Sequence, residues 1–221
     1  MKPLCITPGD PLGIGAEVVV KALAELDCPR PVVLMGDEDS IVEAVNQWGP
    51  LPEGTRIIDT SGQSEPPEVV AIRLAVEWCQ SGEAAALMTG PINKEKLVRR
   101  GFAYTGHTDF LGALCGVKRP VMAFVGQRLH VSLVTVHCPV SEVPGRLNRD
   151  LITHVLHETH RSFARYGAEP TPTLLVCGLN PHAGDGGVLG REEIDCIGPA
   201  IAECGVPGVV GPISAEAAFT R

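Results

Sequence analysis

Short apolar runs alternate along this chain with longer stretches in which apolar residues recur every three or four positions. Runs of the first kind fall at 3–7, 31–35, 56–59, 84–88 and 173–177, each of a length that suits a buried strand. Stretches of the second kind cover 16–26, 40–48, 68–80, 148–166 and 192–204. In 68–80, Ala71, Leu74, Ala75 and Trp78 share one face, the spacing of an amphipathic helix. Ser40 stands where the helix that runs to Trp48 needs an N-cap. Residues 120–125 and 130–136 read as neighbouring strands joined around Gly126 and Gln127.

Strands alternating with helices of this length predict crossover units, a mainly parallel sheet and an α/β fold. Functional loops of such sheets lie beyond the carboxyl ends of the strands. Three polar loops here follow predicted strands, at 7–15, 89–94 and 178–187. The 221 residues suffice for one large domain or two small ones. The division is placed between residues 105 and 106, giving domains of 1–105 and 106–221.

Composition narrows the picture. Hydrophobic residues make up 44% and aromatics only 4%, so the core must be built from Val, Leu, Ile and Ala. The net charge of −8 argues against a broad basic surface for nucleic acid but leaves room for a small anionic ligand. No run of about 18 apolar residues suggests a membrane helix. The start of the chain lacks the pattern of a signal peptide, which predicts a cytoplasmic protein. The eight cysteines contain no CxxC pair, so zinc-finger and thioredoxin readings fail and reduced, mostly buried thiols are expected.

Candidate chemistry falls in the three loops and in the segments that follow predicted strands. In the first, Gly9, Gly13 and Gly15 serve either a tight strand-to-helix loop or an anion cradle, although the pattern is not GxGxxG. The second leads through Lys94 into a short basic helix with Lys96, Arg99 and Arg100, most simply a solvated face. Beyond it, His107 and Thr108 either start a helix or offer two donors to a phosphate or carboxylate. His137 and His182 each follow a predicted strand. If those strands are parallel neighbours, both imidazoles reach one sheet edge and make a partial metal site without a third ligand. The alternative is two structural histidines. His154, His157 and His160 spread too widely around their helix for one compact site, and His130 carries no readable signal. No GxSxG elbow, Walker A loop or HExxH is present.

Taken in order, ITPGDPLGIGAE, TGPINK, GHTD, VTVHCPV, CGLNPHAGDGG with GREEID, and GPISAEAAF resemble the 4-hydroxythreonine-4-phosphate dehydrogenases of pyridoxal phosphate biosynthesis. The resemblance runs from residue 4 to the end of the chain. It implies a fold like that of the isocitrate and isopropylmalate dehydrogenases, with mainly parallel sheets in two α/β domains around a cleft, in a homodimer. It also implies oxidation of 4-phosphohydroxy-L-threonine by NAD, followed by decarboxylation of the β-keto acid. In this family three histidines hold a divalent metal (zinc, magnesium or cobalt), which polarises the hydroxyl and stabilises the enolate, while NAD takes the hydride. His137 and His182 match two of those ligands. His107 and Thr108 match the substrate-binding pair, and Lys94 is a further candidate contact to the small phosphorylated substrate.

The chain departs from the family pattern in three respects. The family's third metal histidine and its DHGTA segment, associated with NAD, would lie beyond Arg221, so the 221-residue chain alone is expected to have little dehydrogenase activity. Glu216, the candidate catalytic carboxylate, stands near a family aspartate with altered spacing. The region 50–67 is shorter than usual for the family. Three competing readings remain: a dehydrogenase of threonate or erythronate 4-phosphate, an acyl or phosphoryl transferase, and a non-catalytic remnant.

Overall fold

The run Leu4-Cys5-Ile6-Thr7 forms β1, and its odd and even residues face two different cores, as strand geometry requires. It begins the order β1, α1 (Gly15–Glu25), β2 (Val32–Gly36), α2 (Glu38–Trp48), β3 (Arg56–Asp59), α3 (Pro67–Ser81), β4 (Ala86–Thr89), α4 (Lys94–Arg99) and α5 (His107–Leu114). The strands form one parallel sheet in the order β3-β2-β1-β4, with Leu4 opposite both Val32 and Ala86. Cys5, Val33 and Met35 pack against Ala71 and Ala75 of α3. Ile6, Val32 and Leu34 meet Val19 and Leu23 of α1 and Ile41 of α2 on the other face. Helices on both faces explain why β2 is buried throughout and reads as a continuous apolar run.

The computed structural model describes residues 1–26, 28–167 and 171–220, in two compact units, Met1–Pro120 and Val121–Arg221. The sequence set the division at 105/106, but the rings of Phe102, Tyr104 and Phe110 meet in tilted and edge-to-face contacts and pack with Ile72 and Leu97, which keeps α5 in the first unit. Helix α2 starts earlier than the sequence suggested. The Asp37 carboxylate accepts from the Ser40 amide at 2.9 Å, so Asp37 is the cap and Ser40 lies inside the helix. In α3 the buried apolar set is Val69, Ala71, Ile72, Ala75 and Val76, with Leu74 and Trp78 half-buried, because the helix serves two clusters rather than one.

In the second unit, β5 (Ala123–Val125) and β6 (His130–Ser132) make an antiparallel hairpin closed by the Gly126 amide on Leu129 O at 3.0 Å. A single 3₁₀ turn at Val140–Glu142, α6 (Val143–Arg146) and α7 (Arg149–Tyr166) follow. Then come β7 (Leu174–Cys177), a turn at Pro181–Gly187, a π-helical segment at Glu193–Ile197, α8 (Gly198–Glu203), β8 (Val209–Ile213) and α9 (Ala215–Phe219). β7 and β8 pair in parallel over a core of Ile152, Leu156, Ile197, Ala200 and Cys204. The expected helix over 192–204 is divided because Pro199 has no amide hydrogen to give the preceding turn, and the chain widens into the π segment before it.

Two expectations are corrected here. The strand predicted over 130–136 ends at Ser132, while its expected pairing with the preceding strand holds and is antiparallel, as so short a loop requires. His137 and His182 therefore do not follow parallel neighbours: β7 pairs with β8 instead. Of the cysteines, Cys5 and Cys204 are buried, five are half-buried and Cys115 is exposed. Among the described residues, no helix is long and apolar enough to cross a membrane.

Candidate functional site

At the carboxyl edge of the first unit's sheet, the loops after β1 and β4 interlock. The Asp10 amide donates to Pro91 O at 2.9 Å, and a Cβ on Gly15 would stand 1.8 Å from Pro8 O. The Asp10 carboxylate accepts from the Leu12 amide at 3.1 Å and pairs with Lys96 at 2.8 Å. Burial works to raise this carboxyl, but the hydrogen bonds from Lys96 and Leu12 outweigh it and hold the group below its usual range. An acidic group thus already fills the loop, which supports the structural reading of its glycines over an anion cradle. The sequence treated Lys96 as part of a solvated face, and no local pattern joins two residues so far apart in the chain.

Glu68 is a second residue that periodicity missed. It lies in the first turn of α3 and is only 5% exposed. Burial, together with the charge of Asp10, pushes its carboxyl up, against the opposing pull of Arg100 and Lys96.

His107 opens α5, with Gly106 before it as a cap that lends no side chain. Its Nε2 is buried and makes no hydrogen bond. Lys94 lies close by: its Nζ would be 3.4 Å from a Cβ on Gly106. Burial and the Lys94 ammonium push the imidazole below its usual value, so it is neutral at pH 7. Thr108 is the second residue of the helix and half-buried, and Asp109 accepts from the Thr105 hydroxyl. A cation, an unsatisfied ring nitrogen and the free amides of a helix start meet here, a set suited to an anion.

In the second unit, His137 and His182 are both exposed, and both have left-handed backbone, with φ of 51° and 52°. His182 begins a continuous run of positive φ through Ala183, Gly184, Asp185, Gly186 and Gly187. A left-handed conformation costs an L-residue about 1–2 kcal/mol, and such outliers concentrate at functional sites. The run is anchored from outside. Glu193, 4% exposed, accepts from the Asn180 amide at 2.8 Å and from Asn180 Nδ2 at 3.0 Å. Burial works to raise the Glu193 carboxyl, but these bonds hold it below its usual range. Glu216 is exposed in the first turn of α9, whose cap Ser214 accepts from Ala217, and α9 packs against β7 and the left-handed turn. Among the described residues, no three His, Cys, Asp or Glu side chains gather as a metal site, so His137 and His182 do not complete one between them.

Parallel β-α units with polar loops beyond the strand ends define an α/β fold of the dehydrogenase type. The profile of the family described as pyridoxal phosphate biosynthetic protein PdxA matches residues 38–221, and the chain belongs to that family. A 4-hydroxythreonine-4-phosphate dehydrogenase of Serratia proteamaculans is 34% identical over 246 residues, covering 98% of this chain and 74% of that one. Its counterpart from Aromatoleum aromaticum is 35% identical over 239 residues, covering 98% and 73%. Among solved structures, the 4-hydroxythreonine-4-phosphate dehydrogenase of Klebsiella pneumoniae superposes with a TM-score of 0.87 at 31% identity, covering 100% of this chain and 77% of that one. The enzyme of that name from Burkholderia phymatum gives 0.83 at 31%, covering 100% and 76%.

Proposed function

We propose that this chain acts as a 4-hydroxythreonine-4-phosphate dehydrogenase, oxidising 4-phosphohydroxy-L-threonine with NAD and releasing carbon dioxide on the way to pyridoxal phosphate. The observation that carries the substrate class is the buried, unpartnered Nε2 of His107 beside Lys94 at the start of α5. A phosphate seated there would take a charge-assisted bond from Lys94, a hydrogen bond from the neutral imidazole and amide donors from the helix, with Thr108 adding its hydroxyl. NAD, when bound, accepts the hydride; no side chain of this chain is assigned to it.

His137 and His182 are our candidates for two positions of a divalent-metal shell. The shell is incomplete among the described residues, so no step is assigned to a metal ion. Glu216 is our candidate for moving a proton, being exposed on a helix that abuts the His182 turn. We expect a cytoplasmic homodimer; the exposed apolar hairpin of Phe124, Val125 and Leu129 favours self-association.

The test is NADH formation from 4-phosphohydroxy-L-threonine, with threonate and erythronate 4-phosphates in parallel arms. Turnover of the amino acid in preference to the sugar acids is expected, at the low rate that two of the family's three metal histidines allow, and turnover of the sugar acids alone would overturn the substrate assignment. His107→Ala should raise KM about 10- to 100-fold, the range of one hydrogen bond to a charged group. An unchanged KM would remove His107 from the site.

A further inference from the structure

We propose that Glu193 is a positioning residue: its carboxylate pins Asn180 and thereby holds His182 in the left-handed conformation that aims its imidazole. The inference rests on reading His182 as a site residue, and it names the group that sets its geometry.

The donors to Glu193 are amides. They are the backbone and side chain of Asn180, with the Leu179 and Glu193 amides contributing. A buried carboxylate is costly unless each oxygen is engaged, and an apolar side chain would fill the same volume at lower cost. What the carboxylate adds is direction. Oε1 fixes the Asn180 backbone, and Oε2 fixes its side chain, whose Nδ2 also donates to Glu192 at 2.7 Å.

The neighbouring glycines are cut to fit this carboxylate. A Cβ on Gly184 would lie 2.7 Å from Oε2, and one on Gly178 would lie 3.0 Å from Oε1. The Gly184 carbonyl in turn accepts from the Leu189 amide at 3.0 Å. His182 and Ala183 are thus suspended between two fixed points, Asn180 and Gly184, and hold positive φ because both ends are held. Without the pin, both residues would relax to negative φ, since nothing in an L-residue favours the left-handed region. That change would swing the His182 side chain toward a different side of the backbone.

The test compares Glu193→Ala, Glu193→Gln and His182→Ala in the full chain. The first readout is the Cα and Cβ chemical shifts and the amide–Hα coupling of His182, which report φ directly. The second is turnover of 4-phosphohydroxy-L-threonine with NAD. Glu193→Ala should move the His182 signals to those of negative φ and lower kcat on the order of 10²-fold, the effect of a misplacement near 1 Å, with KM within about twofold. Glu193→Gln keeps one acceptor for the Asn180 amide and should rescue part of both effects. A merely structural role would lower the melting temperature yet leave the His182 signals of the folded protein in place. Unchanged His182 signals in both Glu193 variants would overturn the proposal. If Glu193→Ala does not fold, Glu193→Gln decides by the same signals. His182→Ala separates the two readings: full turnover there would sink the site assignment, while the His182 signals of the Glu193 variants still judge the pin.

Discussion

Glu68 and Glu193 are both buried carboxylates, yet they respond oppositely because their surroundings differ. Glu193 is surrounded by amide donors that favour its charged form, whereas burial dominates at Glu68 and favours the neutral one. For Glu68 the linkage follows directly. Its folded pKa is raised, so the native state holds the proton more tightly, and stability falls as pH climbs from the ordinary glutamate range near 4.3 through the folded value. Glu68→Gln should therefore raise the melting temperature at pH 7, with the gain vanishing below about pH 4. An equal gain at both pH values, in paired thermal scans, would rule the mechanism out. At this scale the sequence was readable only in part. His107 and Thr108 stood out as a paired donor set after a glycine, and His137 and His182 because each follows an apolar run. Glu68 and the Asp10–Lys96 pair did not, since helix periodicity carries no record of which distant loop a charge will meet. Glu193 was visible within GREEID, but nothing in the motif ties a carboxylate to an amide 13 residues earlier.

Elements were more legible than residues, and in the first unit the sequence erred mainly at their ends. Asp37 displaced Ser40 as a cap because the aspartate comes first and its carboxylate reaches the third amide on. Asn148 shows the same mechanism at α7, accepting from the Leu151 amide at 2.9 Å. Asn148→Ala should cost about 1 kcal/mol, measurable by urea denaturation; no change would mean that another group satisfies that amide. Gly15→Ala brings in a different cost. Its Cβ would meet Pro8 O at 1.8 Å, so the loop between β1 and α1 must move, with a loss of roughly 1–3 kcal/mol. A variant as stable as the parent would show that this loop yields freely. The second unit's short strands were the least legible elements. β8 contains Gly211 and Pro212, which erase the apolar run that marks a strand, and β6 stops after three residues because its pairing ends with the hairpin.

At the scale of the molecule, the two units are unequally built. The first has helices on both faces of a four-stranded parallel sheet and several clusters of buried apolar residues, whereas the second, among the described residues, relies on one cluster around Ile152, Leu156 and Ile197. Damage should fall accordingly. Ile152→Ala should cost about 2–5 kcal/mol, and in native-state hydrogen exchange the amides of α7, β7 and β8 should lose protection while those of β1 and β2 keep theirs. Uniform loss throughout would show that the units unfold as one. The alternation of strand and helix disclosed the α/β class from the sequence alone, because crossover units leave that signature. The sequence also marked the hairpin of the second unit through the short link at Gly126 and Gln127, but not that β7 pairs with β8, since a short apolar run does not specify its partner.

The run from His182 to Gly187 is, locally, the mirror image of ordinary helical backbone. Handedness therefore becomes something that can be edited there. In a chain assembled by chemical ligation, D-alanine at Gly186 (φ 66°) would prefer the native twist and narrow the unfolded ensemble, stabilising the fold by about 0.4–1 kcal/mol. L-alanine at the same position would oppose that twist. Two proteins of identical composition, differing only in the chirality of one methyl group, would then melt on opposite sides of the parent.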